Sequence, residues 1–180
     1  MAEAPRHAMR CLLPLTLPLI LALFLALVSV SLVAAPLARG PVRQGPSGLD
    51  VPRFVAIAQT RAYLRSGPGE RYPIRWEYRR EGLPLLVVGE YGAWRQVRDP
   101  EGTEGWMHVA LLSGTRTVWL EQDAEMKKDP DRAAAPVLRA EAGVTATLDH
   151  CQAGWCRLKL AGRTGWLPAA HLWGVFQEES

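Results

Sequence analysis

The chain is poor in the groups that carry most enzyme chemistry. Its 180 residues include four histidines and three cysteines. His7 lies close to the N-terminus, and His108, His150 and His171 are scattered. Ser66, Ser113 and Cys156 have no base and orienting acid at a recognisable spacing, and no Gly-x-Ser-x-Gly occurs. Acid pairs such as Glu101/Glu104 and Asp129/Asp131 fall in turn-like stretches, where carboxylates are simply solvated. The expectation is a non-enzyme with no catalytic residue and no cofactor. The sharpest metal candidate combines Cys151, Cys156, His150 and His171, but its four-residue spacer matches no familiar ligand pattern, so no metal is expected. A dominant charge of one sign is missing too. Residues 39–180 hold 19 basic and 17 acidic side chains, a balance that argues against nucleic acid. Nor is there a 10–15-residue amphipathic helical pattern, which excludes a helical bundle.

One long hydrophobic run is present. Arg6 and Arg10 lead into residues 11–38, which carry no charge and end in small residues around Ala34, Ala35 and Ala38. A positive start, an apolar stretch and a small-residue end form a secretory signal, so residues 1–38 are expected to direct export to the periplasm or cell envelope. The run is long enough to span a bilayer, and if uncleaved it is the chain's only membrane contact. Residues 39–50 (RGPVRQGPSGLD) hold three glycines and two prolines with little apolar content, the composition of a flexible linker.

Beyond the linker the chain repeats itself. Gly102–Gly114 reads GTEGWMHVALLSG, and Gly162–Gly174 reads GRTGWLPAAHLWG. Repetition at a fixed period marks one structural unit made twice. The first unit is assigned to residues 51–114 and the second to 115–176, followed by an acidic tail at 177–180. Phe54–Ile57, Tyr63–Arg65, Arg75–Arg79, Leu83–Val88, Trp94–Arg98 and Trp106–Val109 alternate or run apolar between glycine turns, as short strands do. Thr117–Leu120, Gly143–Leu148 and Cys156–Leu160 answer them in the second unit. Each unit has about sixty residues, a size at which one core is marginal. The units should therefore pack on one another, with Trp119 and Trp173 available for the contact. Cys151 and Cys156 flank a glycine turn, and in an exported chain a disulfide between them is expected.

The run Tyr63-Leu-Arg-Ser-Gly-Pro-Gly69, Trp94 at a strand start, Gly105-Trp106 and Leu111-Leu112-Ser-Gly114 resembles the bacterial SH3 domain. The match is nearest to exported proteins with two such domains in tandem. The second unit departs at its opening, where Met126-Lys-Lys-Asp-Pro130 stands, and rejoins at Gly165-Trp166 and Leu172-Trp-Gly174. The resemblance implies an all-β fold of two tandem five-stranded, partly open barrels, each with a 3₁₀ turn before its last strand. It also implies a binding or scaffolding role in the cell envelope, with peptidoglycan or peptides as ligands.

Aromatic residues divide into two sets. Trp94, Trp106, Trp155 and Trp166 recur in both units and are assigned to the structural core. Tyr63, Tyr72, Trp76, Tyr78 and Tyr91 occur only in the first. Beside Arg65, Arg71 and Arg75 they suit a groove that stacks on a peptide or sugar and pairs with its carboxylates, or else they face the second unit. The ligand-binding candidates are thus Tyr63, Arg65, Tyr72, Arg75, Trp76, Tyr78 and Tyr91. Three readings follow: an envelope binding module, an assembly protein that docks on another envelope protein, and an accessory to a cell-wall hydrolase.

Overall fold

A computed structural model of the protein describes residues 40–179; the expected signal segment at 1–38 lies outside them. Among the described residues no helix is long and apolar enough to cross a membrane. The first copy is built from β3 (Arg53–Ile57), β4 (Ala62–Arg65), β5 (Ile74–Tyr78), β6 (Pro84–Tyr91), β7 (Trp94–Arg98), β8 (Glu104–His108) and β9 (Leu112–Ser113). The second uses β10 (Thr117–Leu120), β11 (Ala124–Lys127), β12 (Pro136–Ala140), β13 (Thr145–Gln152), β14 (Trp155–Leu160), β15 (Arg163–Pro168) and β16 (Leu172–Trp173). A two-strand hairpin, β1 (Arg43–Gln44) with β2 (Asp50–Val51), precedes both.

The strand orders are the same: β5-β4-β8-β7-β6-β3-β9 and β12-β11-β15-β14-β13-β10-β16. Single 3₁₀ turns, Val109–Leu111 and Ala169–His171, precede the last strands. Two tandem SH3-like all-β units are therefore present, but neither sheet closes into a barrel. Each ladder ends in edge strands that do not pair with each other, and each has seven short strands because the stretch after β3 or β10 folds into its own hairpin.

The repeated Gly-Trp has a steric cause. A Cβ on Gly105 would fall 2.8 Å from the carbonyl oxygen of Arg65, and one on Gly165 would fall 3.0 Å from that of Lys127. At Gly105 the two backbones approach too closely for a side chain, and at Gly165 they leave room for one only if a neighbour gives way.

Both cores are aliphatic. Ile57, Leu64, Leu85, Val97 and Met107 fill the first, and Val118, Leu120, Met126, Leu158 and Leu167 the second. The recurring tryptophans do not join these clusters. Successive strand residues face opposite sides, and Val97 and Met107 take the inward positions of β7 and β8. Trp94 and Trp106 consequently lie half-buried on the other face, as Trp155 does beside the inward Cys156. Trp166 is buried, on the face opposite Leu167, with its ring edge-on to His150 at 5.3 Å. The core assignment of Trp94, Trp106 and Trp155 is corrected accordingly.

A third cluster joins the copies. Phe54 and Leu86 from the first meet Trp173 and Phe176 from the second, with Trp119 packed against them. The Phe54 ring stands 5.1 Å from Trp173, edge to face, and 4.6 Å from Phe176. The C-terminal segment is held as well: the Glu179 carboxylate accepts from Arg116 and from the Phe176 N–H.

Residues 40–50 are not a free linker. The side chain of Glu90, 1% exposed, accepts from the N–H and hydroxyl of Ser47 and pairs with Arg53 at 2.7 Å and Arg95 at 3.1 Å. A polar turn in this composition folds because a buried carboxylate needs donors.

Candidate functional site

The candidate ligand residues separate into two places because β4 and β5 alternate. Tyr63 and Arg65 share one face of β4, and Leu64 between them enters the core. On β5, Tyr78 is 6% exposed and belongs to the first core, where its hydroxyl donates to Asp99 at 2.9 Å. Burial and the neighbouring Asp99 carboxylate raise its pKa well above the usual tyrosine range. Tyr78 thus packs in the core, away from the Tyr63 and Arg65 side of the copy, and its edge also lines the cleft beside Trp76. Trp76, 55% exposed, shares a cleft of about 160 Å³ with Arg80, Pro100 and Trp119 at the edge of the second copy. The Arg80 guanidinium lies 5.2 Å over the Trp119 ring and donates to the Gly143 carbonyl. Of the two arrangements open for the first-copy rings, Trp76 takes the one that faces the second copy.

Tyr63 and Arg65 line a different groove, of about 240 Å³, with Glu70, Trp94, His108 and Leu111. Register explains its shape. Trp94 on β7 stands opposite His108 on β8, and their rings meet edge to face at 5.3 Å. His108 Nδ1 accepts from the Ala110 N–H at 3.2 Å, which fixes the imidazole and caps the 3₁₀ turn. One side of Tyr63 is covered by Arg61, whose guanidinium sits 5.2 Å over the ring and pairs with Glu77. This pairing with Arg79 and Arg61 holds Glu77 below the usual carboxylate range.

Arg65 is already engaged. Its Nη1 donates to the Glu70 and Tyr72 carbonyls at 3.0 and 2.8 Å, pinning the 66–73 tip of the β4–β5 hairpin. The Tyr72 ring folds back on Gly67, where a Cβ would fall 2.5 Å from it. Arg71 lies over that same ring, and Arg75 donates to the Glu104 carbonyl at 3.3 Å. Tyr91 is 66% exposed at the tip of the β6–β7 hairpin. Arg65 and Arg75 thus shape this surface by holding backbone, and the Glu70 carboxylate makes no hydrogen bond or ion pair among the described residues.

Sequence reasoning missed Trp94, His108 and Glu70 as groove residues. The signal for Trp94 was present: it stands three positions before the inward Val97, an odd offset that puts it on the outer face. Among the described residues, no group of three or more His, Cys, Asp or Glu side chains is placed to hold a metal ion.

The family model for the bacterial SH3 domain matches residues 58–114 and 121–174, more than half of the chain. The chain belongs to the bacterial SH3 domain family. The two matches begin just after the first strand of each copy, at residue 58 after β3 and at residue 121 after β10. No curated protein matches it. Among solved structures it is similar to NlpC2 from Trichomonas vaginalis, at 15% identity and TM-score 0.32, covering 68% of this chain and 48% of that one. It is also similar to NlpC1 from the same organism, at 13% identity and TM-score 0.31, covering 76% of this chain and 48% of that one. The chain spans about half the length of both structures.

Proposed function

We propose that the protein is a non-enzymatic binding module of the bacterial cell envelope that takes a peptide or peptidoglycan-type ligand in the Trp94 groove. The observation that carries this reading is the built aromatic wall: Trp94 is held edge-on by His108, and His108 by the 3₁₀ turn. Tyr63 and the unpaired Glu70 complete it. Flat rings bury a peptide backbone or sugar face, and a lone carboxylate favours an amino group over a carboxylate. Two features support an exported location: the uncharged stretch at 11–38 and the Cys151–Cys156 disulfide, a bond that persists in oxidising compartments.

The test is cosedimentation of the full chain, in mild detergent, with purified peptidoglycan sacculi. The parent and Trp76→Ala should pellet with the wall, and Trp94→Ala should stay in solution. If none of the three pellets, the wall ligand is wrong. The second reading, assembly with another envelope protein, then leads. Its support is edge strand β5, which exposes Ile74 and Trp76 and leaves one side unpaired.

A further inference from the structure

The first copy's groove has a counterpart in the second copy. In the second copy Lys127 occupies the position of Arg65, since each stands opposite the repeated tryptophan of the next strand. Trp155 matches Trp94 at the start of the returning strand, and His171 matches Leu111 in the 3₁₀ turn. These three residues, with Asp123, Arg132 and Pro168, line a groove of about 450 Å³, larger than the first.

Its chemistry is inverted. Lys127 Nζ bonds Glu125 at 3.0 Å, and Asp123 accepts from the Ala142 N–H at 2.9 Å, so each of these side chains is engaged within the copy. Arg132, on the β11–β12 tip where the first copy has Glu70, is exposed and makes no hydrogen bond or ion pair among the described residues. Burial and the positive charge of Arg132 lower the pKa of His171, which disfavours a second positive charge beside Arg132. The charged side chain on this wall without a hydrogen bond or ion pair among the described residues is therefore a guanidinium, where the first groove offers a carboxylate. A guanidinium fork matches a carboxylate through two parallel hydrogen bonds. Beside it Trp155 supplies a flat surface, held next to the Cys151–Cys156 bridge.

We infer that the second copy carries a binding site of its own, for the carboxylate end of a peptide, with Arg132 on the carboxylate and Trp155 against the final residues. The two copies then select opposite ends of peptide chemistry: amino groups at Glu70 and carboxylates at Arg132.

The probe is N-acetyl-trialanine with a free carboxylate, set against its C-terminal amide. The reporter is the full chain in mild detergent, labelled with ¹⁵N-tryptophan; its seven indole N–H signals report each site separately. The acid should shift the Trp155 signal saturably and leave Trp94 in place. The amide should bind about tenfold more weakly or worse, as loss of a charge-assisted pair requires. Arg132→Glu should abolish the acid's effect while the other six signals keep their positions, showing that the fold is intact. Equal binding of acid and amide, a still Trp155 signal, or an Arg132→Glu variant that binds like the parent would overturn the inference. Failure of the first-copy reading is registered separately, by the Trp94 signal and the sacculi.

Discussion

At the tip of the first copy's hairpin, Arg65 reaches two backbone carbonyls and holds residues 66–73 in one shape. At the same register position in the second copy, Lys127 turns to a neighbouring carboxylate, and the 128–135 tip is closed by its own backbone and Asp131. A planar fork can grip two acceptors at once, whereas an ammonium is a compact point charge. The comparison shows that register and glycine placement are shared while side-chain chemistry is free to diverge. Divergence extends to stabilisation. The first copy buries Tyr78 with its hydroxyl on Asp99, and the second closes its β13–β14 hairpin with a disulfide.

The largest way to break the comparison is to remove what the copies share. Trp173→Ala empties the cluster that joins them, and large-to-small changes of this type cost about 3–5 kcal/mol. Denaturant unfolding should show both copies losing stability together; loss confined to the second would mean that the cluster does not couple them. Next is the bridge. Replacing Cys151 and Cys156 with serine should cost about 2 kcal/mol, as expected for a short closed loop. Hydrogen exchange should place that loss in β13 and β14, with the first copy unchanged. Tyr78→Phe is the first copy's counterpart, and a buried hydrogen bond to a carboxylate contributes about 1–2 kcal/mol. Its effect should appear in β5 and the 99–103 turn.

A smaller effect separates the N-terminal hairpin from both copies. Burial pushes the Glu90 carboxyl up, but the Ser47 N–H, the Arg53 guanidinium and the Ser47 hydroxyl outweigh it and hold it at about 2. A carboxyl depressed in the folded state contributes stability above its ordinary pKa and loses it as pH falls through the folded value. Protection of the 43–51 amides should therefore decline from about pH 5 towards pH 2. Glu90→Gln should weaken that protection at neutral pH and flatten its acid dependence.

Much of this fold was legible in the chain. The doubled Gly-Trp, the offset of the strands and the cysteine pair follow from local spacing, and local spacing is what short strands and tight turns obey. What stayed hidden depends on which face a side chain takes and on partners far away in sequence. Trp94 lies on the outer face and Tyr78 in the core, the reverse of their expected placement, because two large aromatics look alike until alternation against Val97 and Leu64 is traced across paired strands. The 39–50 stretch read as a linker because its anchor, Glu90, lies 43 residues from Ser47. The arginines read as ligand contacts because their carbonyl partners carry no sequence signature.

The most direct test of the Trp94 groove is a titration of the ¹⁵N-tryptophan-labelled full chain with soluble peptidoglycan fragments that carry free amino groups. The account predicts that the Trp94 indole signal shifts saturably while the Trp76 and Trp119 signals hold still, and that Glu70→Gln weakens the response. A response centred on Trp76 and Trp119, with Trp94 unmoved, would place the ligand in the cleft between the copies and contradict it.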